Sequence, residues 1–174
     1  MALSRFPTYL RLINGPRTER RQEAQAKVLS VPAWNRDLAT GVASRQALLD
    51  RLAVVGELGP RAPLSFVAVR LEDAEGLSEE TVESLEKAVA ARLAELTRVT
   101  DMVGRLQERA FGIVLQGTGA TAAGAVASRL SHHLNRLAEL PRTTSVIASA
   151  ATGTGVNAHA LVIAAMDSLE ECAG

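Results

Sequence analysis

A chain of 174 residues is long enough for one domain of ordinary size with a short appendage, and it can bury a real core. Hydrophobic residues make up 47% of the chain and charged residues 22%, a composition that excludes an intrinsically disordered protein. The formal net charge of zero argues against a domain that binds nucleic acid through its overall charge.

The N-terminal segment, residues 1–36, differs from the rest of the chain in its charge. It holds seven of the nineteen lysines and arginines but only two acidic residues. A polar helix is predicted over residues 17–30, and Pro32 ends it. We therefore predict a basic N-terminal segment over residues 1–36 and one domain over residues 37–174. A frayed end is the favoured interpretation of residues 1–15, and contact with a membrane surface is the alternative, restricted to residues 1–36. The predicted helix is a candidate for docking a partner protein.

The first half of the predicted domain alternates helix, strand and helix. Ser44 is placed as an N-cap before a helix whose apolar face is Leu48, Leu52 and Val55, at i, i+4 and i+7. Residues 64–71 form a short apolar run with β-branched and aromatic members, which predicts a buried strand. Ser78 caps a second helix, and its predicted buried stripe is Val82, Leu85, Val89, Leu93 and Leu96.

The second half of the domain begins with a predicted hairpin. Residues 99–106 and 111–116 have strand patterns, and four polar or small residues separate them. A helix follows, with a predicted inner face of Ala122, Val126, Leu130, His133 and Leu137. Residues 143–151 form another strand, and Asn157 caps a last helix. Strands and helices in this order predict one α/β sheet with helices packed on its faces.

Three segments, taken in chain order, resemble the motifs of GGDEF domains. Residues 37–45 (DLATGVASR) resemble the D-x-L-T-G-L-x-N-R opening, and residues 105–111 (RLQERAF) resemble the R-x-G-G-D-E-F hairpin. Residues 165–169 (AMDSL) loosely match A-D-x-A-L. The resemblance covers about residues 37–173 and implies a nucleotidyl-cyclase-like α/β (α+β) fold. Its expected core is a ferredoxin-like mixed sheet of about five strands, surrounded by helices.

The resemblance also implies that this domain makes no cyclic di-GMP. Two carboxylates of the family hold Mg²⁺ or Mn²⁺ on the triphosphate of GTP, and their counterparts here are Arg70 and Ala110. A shifted register would place Glu72 or Asp73 at the strand end instead. The degenerate hairpin motif consists of Gln107, Glu108, Arg109, Ala110 and Phe111, with side chains in place of both motif glycines. We therefore expect no catalytic residue, no metal and no cofactor.

A second site in many family members binds the product, cyclic di-GMP, through an R-x-x-D motif. Residues 98–101 (RVTD) stand at the expected spacing, six residues before the first motif position, and Arg129 falls where a further arginine reaches the ligand. The resemblance thus implies a cyclic di-GMP site of Arg98, Asp101 and Arg129. Guanidinium groups suit phosphate and the guanine edge, and a carboxylate accepts from guanine N–H groups. Further candidates are Arg105, His132 and Arg136.

Two functions of different classes remain open from the sequence. The leading one is an inactive receptor that binds cyclic di-GMP and passes that state to a protein partner, with a homodimer as one output. The alternative is a ligand-independent interaction or scaffold module, in which residues 98 and 101 form only a surface ion pair. No nucleic acid is expected as a partner. The single cysteine, Cys172, cannot form an internal disulfide, which favours the cytoplasm.

Overall fold

The computed structural model describes residues 19–22, 26, 31–58, 62–74, 76–154 and 157–173. Residues 19–22 and 26 are helical, as predicted for this region, whereas the other residues of the predicted 17–30 helix lie outside the described ones. A short 3₁₀ turn, Ala33–Asn35, precedes the domain. None of the helices in the described ranges is both long enough and apolar enough to cross a membrane.

Four helices and four strands make up the described part of the domain. Their bounds are α1 (Arg45–Leu58), β1 (Leu64–Glu72), α2 (Glu79–Leu96), β2 (Met102–Gln107), β3 (Ala110–Gln116), α3 (Ala120–Leu134), β4 (Ser145–Gly153) and α4 (Ala158–Ala173). The predicted caps are present. Ser78 Oγ accepts from the Thr81 N–H at 3.3 Å, and Asn157 Oδ1 accepts from the His159 N–H at 2.8 Å.

The sheet has the strand order β2-β3-β1-β4, and all three neighbouring pairs are antiparallel. Because β3 lies between β1 and β2, which α2 connects, the domain is a split βαβ unit of the ferredoxin-like type. The α+β fold is therefore as expected, and the described residues form four antiparallel strands where about five strands in a mixed sheet were predicted. The one parallel contact is an isolated bridge between Ala43 and Gly104. A turn at Gly41, with φ of 77°, and the start of α1 at Arg45 leave no room for a longer strand there.

Both faces of the sheet are covered by helices, so β1 is buried on both sides. Its residues alternate: Val67 and Val69 pack with α2 and α3, whereas Phe66 and Ala68 pack with α1 and α4. Buried strands of this kind carry a continuous apolar run, which explains why residues 64–71 could be recognised in the sequence.

The predicted stripe of α2 is confirmed, but that of α3 was wrong by about one residue. The buried residues of α3 are Ala123, Ala127, Leu130 and Leu134. Small alanines let the helix backbone approach the sheet closely, and they therefore occupy the inner face in place of larger apolar side chains. The end of α3 is tied to β4, because the Ser131 hydroxyl and the Asn135 amide both donate to the Val146 carbonyl oxygen, each at 2.7 Å.

Candidate functional site

Arg70 and Ala110 lie directly opposite each other on neighbouring strands. They are Cα partners in the antiparallel register of β1 and β3. Ala110 is fully buried, and the Arg70 guanidinium forms an ion pair with Glu72, the last residue of β1. The two positions that correspond to the metal carboxylates of cyclases are therefore adjacent in space, as the resemblance implied.

These residues do not fit a site for a divalent cation with two carboxylate ligands. Ala110 offers no ligand, and Arg70 brings a positive charge to the place where a cation would bind. Glu72 does stand at the strand end, as the shifted-register alternative requires, but its carboxylate is engaged by Arg70. Asp73 follows with a left-handed backbone, φ 57°, where the chain leaves the sheet.

The hairpin between β2 and β3 is tighter than predicted. Gln107 pairs with Ala110, so only Glu108 and Arg109 form the turn, instead of four separating residues. Arg109 has a left-handed backbone with φ of 58°, and its carbonyl oxygen accepts from the Leu71 N–H at 2.9 Å. The turn is thereby attached to the end of β1.

Glu86, a buried glutamate on α2, also binds this hairpin. Its side chain accepts two hydrogen bonds from Nη2 of Arg105, at 2.9 and 2.7 Å, and one from the backbone N–H of Arg109 at 2.6 Å. Glu86 is only 2% exposed. Sequence reasoning missed this residue, although an acidic residue between the stripe positions Leu85 and Val89 is a signal for a buried ion pair.

Arg105, a further candidate for the ligand site, is directed to Glu86 and to Asp37, whose Oδ2 lies 3.5 Å from its Nη1. Burial alone lowers the pKa of Arg105, but the hydrogen bonds and charges of these two carboxylates outweigh it and raise the pKa above its ordinary value. Burial raises the pKa of Asp37, but hydrogen bonds from Thr40 and the charge of Arg105 lower it by more. The pKa of Asp37 therefore lies below its ordinary value. Arg105 thus joins the opening motif to the hairpin motif.

Arg98, Asp101 and Arg129 line one cavity of about 260 Å³. Arg98 and Asp101 come from the turn between α2 and β2, and Arg129 comes from α3. Asp101 is 6% exposed, and its Oδ2 accepts from the Arg98 N–H at 2.9 Å, so its carboxylate also closes this turn. Leu96, Leu115 and Val126 complete the apolar part of the wall. The structure therefore brings together the three residues of the predicted R-x-x-D site.

The remaining candidates, His132 and Arg136, lie elsewhere on α3 and beyond its end. Both are exposed, and Nη1 of Arg136 is 3.2 Å from Nε2 of His132. Arg136 lines a different cavity, of about 640 Å³, together with His133 and Arg92. Arg129 and Arg136 therefore line two different cavities.

Solved structures with the same fold are GGDEF domains. The GGDEF domain of DgcB from Caulobacter crescentus, in complex with c-di-GMP, aligns with a TM-score of 0.72 at 13% identity, over 81% of this chain and 88% of that one. The FimX GGDEF domain from Pseudomonas aeruginosa aligns with a TM-score of 0.67 at 16% identity, over 76% of this chain and 90% of that one. Diguanylate cyclase SiaD from P. aeruginosa, in complex with its activator SiaC, aligns with a TM-score of 0.63 at 22% identity, over 91% of this chain and 69% of that one.

No curated protein matches the chain in sequence at a significant level. The family described as "Diguanylate cyclase, GGDEF domain" matches residues 34–161. That range contains both motifs joined by Arg105, the paired positions 70 and 110, and all three residues of the cavity between α2 and α3. The chain belongs to the GGDEF domain family.

Proposed function

We propose that this protein is a catalytically inactive GGDEF domain that binds cyclic di-GMP through Arg98, Asp101 and Arg129 and signals to a protein partner. The observation that supports it most is the convergence of these three side chains on one cavity. Residues separated by about thirty positions in the chain meet there in the combination that suits a guanine base beside a phosphate.

The absence of cyclase activity is the first part of the proposal. It rests on the paired positions Arg70 and Ala110, which supply a cation and a methyl group where two carboxylates are needed. The acid at the end of β1, Glu72, forms an ion pair with Arg70. Incubation with GTP and Mg²⁺ should yield no cyclic di-GMP, and formation of product would contradict this part alone.

Binding of the ligand is the second part. A cavity of about 260 Å³ is smaller than most sites that enclose a whole ligand, so we expect it to receive one guanine base while the phosphates stay at its rim. We expect the exposed Arg98 and the half-buried Arg129 to contact those phosphates, and the Asp101 carboxylate to accept from the base. A ligand held in this way leaves its second half open to another copy of the chain or to a partner.

Isothermal titration with cyclic di-GMP tests the receptor function. We expect a dissociation constant in the micromolar range or lower. The affinity for cyclic di-GMP should fall at least tenfold in Arg129→Gln and in Asp101→Asn. Asn retains an acceptor for the Arg98 N–H, so this variant removes the charge without removing the turn. Arg45→Gln is the matched control, since Arg45 is exposed on α1 and lines neither this cavity nor the one beside Arg92 and Arg136.

The alternative function is a ligand-independent interaction or scaffold module with the GGDEF fold. The capping of the 98–101 turn by Asp101 favours it, because that hydrogen bond gives Asp101 a structural reason to be present. Absence of binding heat, together with an unchanged melting temperature at excess ligand, would support the scaffold over the receptor.

We also propose a cytoplasmic location and a domain boundary near residue 36, with the basic segment before it as the partner-docking part. In support of the boundary, Asp37 is the first residue of the turn that includes Gly41, and its carboxylate accepts a hydrogen bond from Arg105.

A further inference from the structure

A second cavity, of about 640 Å³, lies where the described N-terminal helical residues, α2 and the chain after α3 meet. We propose that this cavity binds a small phosphate-bearing anion, at a site separate from the cavity of Arg98, Asp101 and Arg129. Its charged lining residues are Arg20, Arg21, Arg92, His133, Arg136, Glu95 and Glu139. The proposal does not depend on cyclic di-GMP binding.

Positive charge exceeds negative charge in this cavity. Glu95 forms ion pairs with two of the arginines, with Oε2 2.7 Å from Nη1 of Arg92 and Oε1 3.6 Å from Nε of Arg21. Arg20 and Arg136 line the same cavity, with Glu139 as the one further acid. The Nε donor of Arg20 is buried and makes no hydrogen bond among the residues that the structure describes. A buried guanidinium donor beside excess positive charge is a setting that an anion would stabilise.

The pKa of His133 reflects the positive charge around this cavity. Burial lowers its pKa first, and the nearby positive charges of Arg92, His132, Arg129 and Arg136 lower it further. The other charged groups around the cavity are Arg20 and Arg21 on the N-terminal side, Glu95 on α2, and Glu139 after α3. An anion bound here would offset this repulsion, so binding and protonation of His133 favour each other.

A structural explanation accounts for only part of this cluster. The negative end of the α3 dipole stabilises cations in its last turn and beyond, which covers His132, His133 and Arg136. Arg20, Arg21 and Arg92 lie on other elements; Glu95 pairs with Arg21 and Arg92, whereas the buried Nε of Arg20 has no hydrogen-bond partner among the described residues. The cavity is concave and of the size of small-molecule sites, with Ala88, Ala91 and Leu137 as its apolar lining. These features favour a small molecule over a membrane surface or a phosphopeptide.

The first test follows the three histidines of the full chain by NMR, with chloride replaced by sulfate at constant ionic strength. Sulfate is chosen because its charge does not change over the pH range of histidine titration. We expect sulfate to raise the pKa of His133 and to leave the ring resonances of His159, near the start of α4, unchanged at each pH. Equal shifts of both histidines would overturn the proposal, because they would show general screening and no site.

The second test is calorimetric titration with inorganic pyrophosphate. We expect binding that Arg20→Gln and Arg136→Gln each weaken by tenfold or more and that Arg45→Gln leaves unchanged. Two variants on different elements are used so that a folding defect in one does not decide the result. Binding only at tens of millimolar, or equal in all three variants, would overturn the site. Binding to anionic vesicles without binding to pyrophosphate would also overturn it.

Discussion

Two buried carboxylates hold the ends of β2. Asp101 accepts from the Arg98 N–H before the strand, and Glu86 accepts from the Arg109 N–H after it. Both are nearly inaccessible to solvent, where a charged group is tolerated only with strong hydrogen-bond partners. The resemblance pointed to Asp101 through its motif, but no motif contains Glu86. Its role follows from the position of α2 over the hairpin.

Replacing Glu86 with Gln tests this role. We expect the free energy of unfolding to fall by about 1–3 kcal/mol, because the charge-assisted bonds from Arg105 and the Arg109 N–H are weakened in a buried place. Urea denaturation followed by circular dichroism measures it. Glu83→Gln is the control, since Glu83 lies on the same helix and its ion pair with Lys87 is exposed to solvent. An equal loss in both variants would show that helix charge, and not the Arg105 contact, causes the effect.

His133 makes the stability of the fold depend on pH near neutrality. Its folded-state pKa lies below the ordinary value of about 6.5, so the unfolded chain binds more protons between these two values. The free energy of unfolding should therefore fall as the pH is lowered from about 8 to about 5.5. The carboxylates with lowered pKa, Asp37 and Glu83, lose their contribution only at more acidic pH.

Urea midpoints at a series of pH values check this prediction. We expect the slope over this pH range to be shallower in His133→Gln than in the native chain. Identical slopes would mean that another group causes the dependence.

At the scale of elements, α1 packs directly on the hairpin strands through a strand glycine. A Cβ added to Gly112 would lie 2.4 Å from Cζ of Phe66 and 2.7 Å from Cδ2 of Leu48. Helix α1 can therefore approach β3 only while this position has no side chain. The strand pattern predicted β3 correctly, but periodicity alone does not reveal which helix lies over it.

The same substitution at two glycines should have opposite effects. Gly112→Ala is expected to cost about 1–3 kcal/mol or more through overpacking against Phe66 and Leu48. Gly124→Ala should stabilise the protein by about 0.5–1 kcal/mol, because Gly124 is exposed within α3 and a Cβ there meets nothing within 4 Å. Denaturant unfolding of both variants measures the difference. A loss in Gly124→Ala would show that α3 needs this glycine for another reason.

At the scale of the whole molecule, ligand binding and stability are linked. If cyclic di-GMP binds only the folded state, a free concentration of 100 times the dissociation constant should add about 2.7 kcal/mol of stability. For a domain of this size we expect a rise of several degrees in the melting temperature.

Sedimentation velocity under the same conditions tests the expected output, ligand-dependent dimerisation. The dimer should be absent without ligand and in Arg129→Gln. A thermal shift without a change in sedimentation would keep the receptor and exclude the dimer as its output.

The sequence by itself determined the order of helices and strands, the caps, and the position of each motif, because these depend on residues close together in the chain. The resemblance also implied that Arg70 and Ala110 belong to one site and that Asp101 and Arg129 belong to another. Only the tertiary structure decided the pairing of Arg70 with Ala110 across β1 and β3 and the contacts that no motif predicted: Glu86 with Arg105, and Arg92 with Arg136 around one cavity. Such contacts depend on how each helix is rotated over the sheet, and a shift of one residue, as in α3, turns a side chain by about 100°.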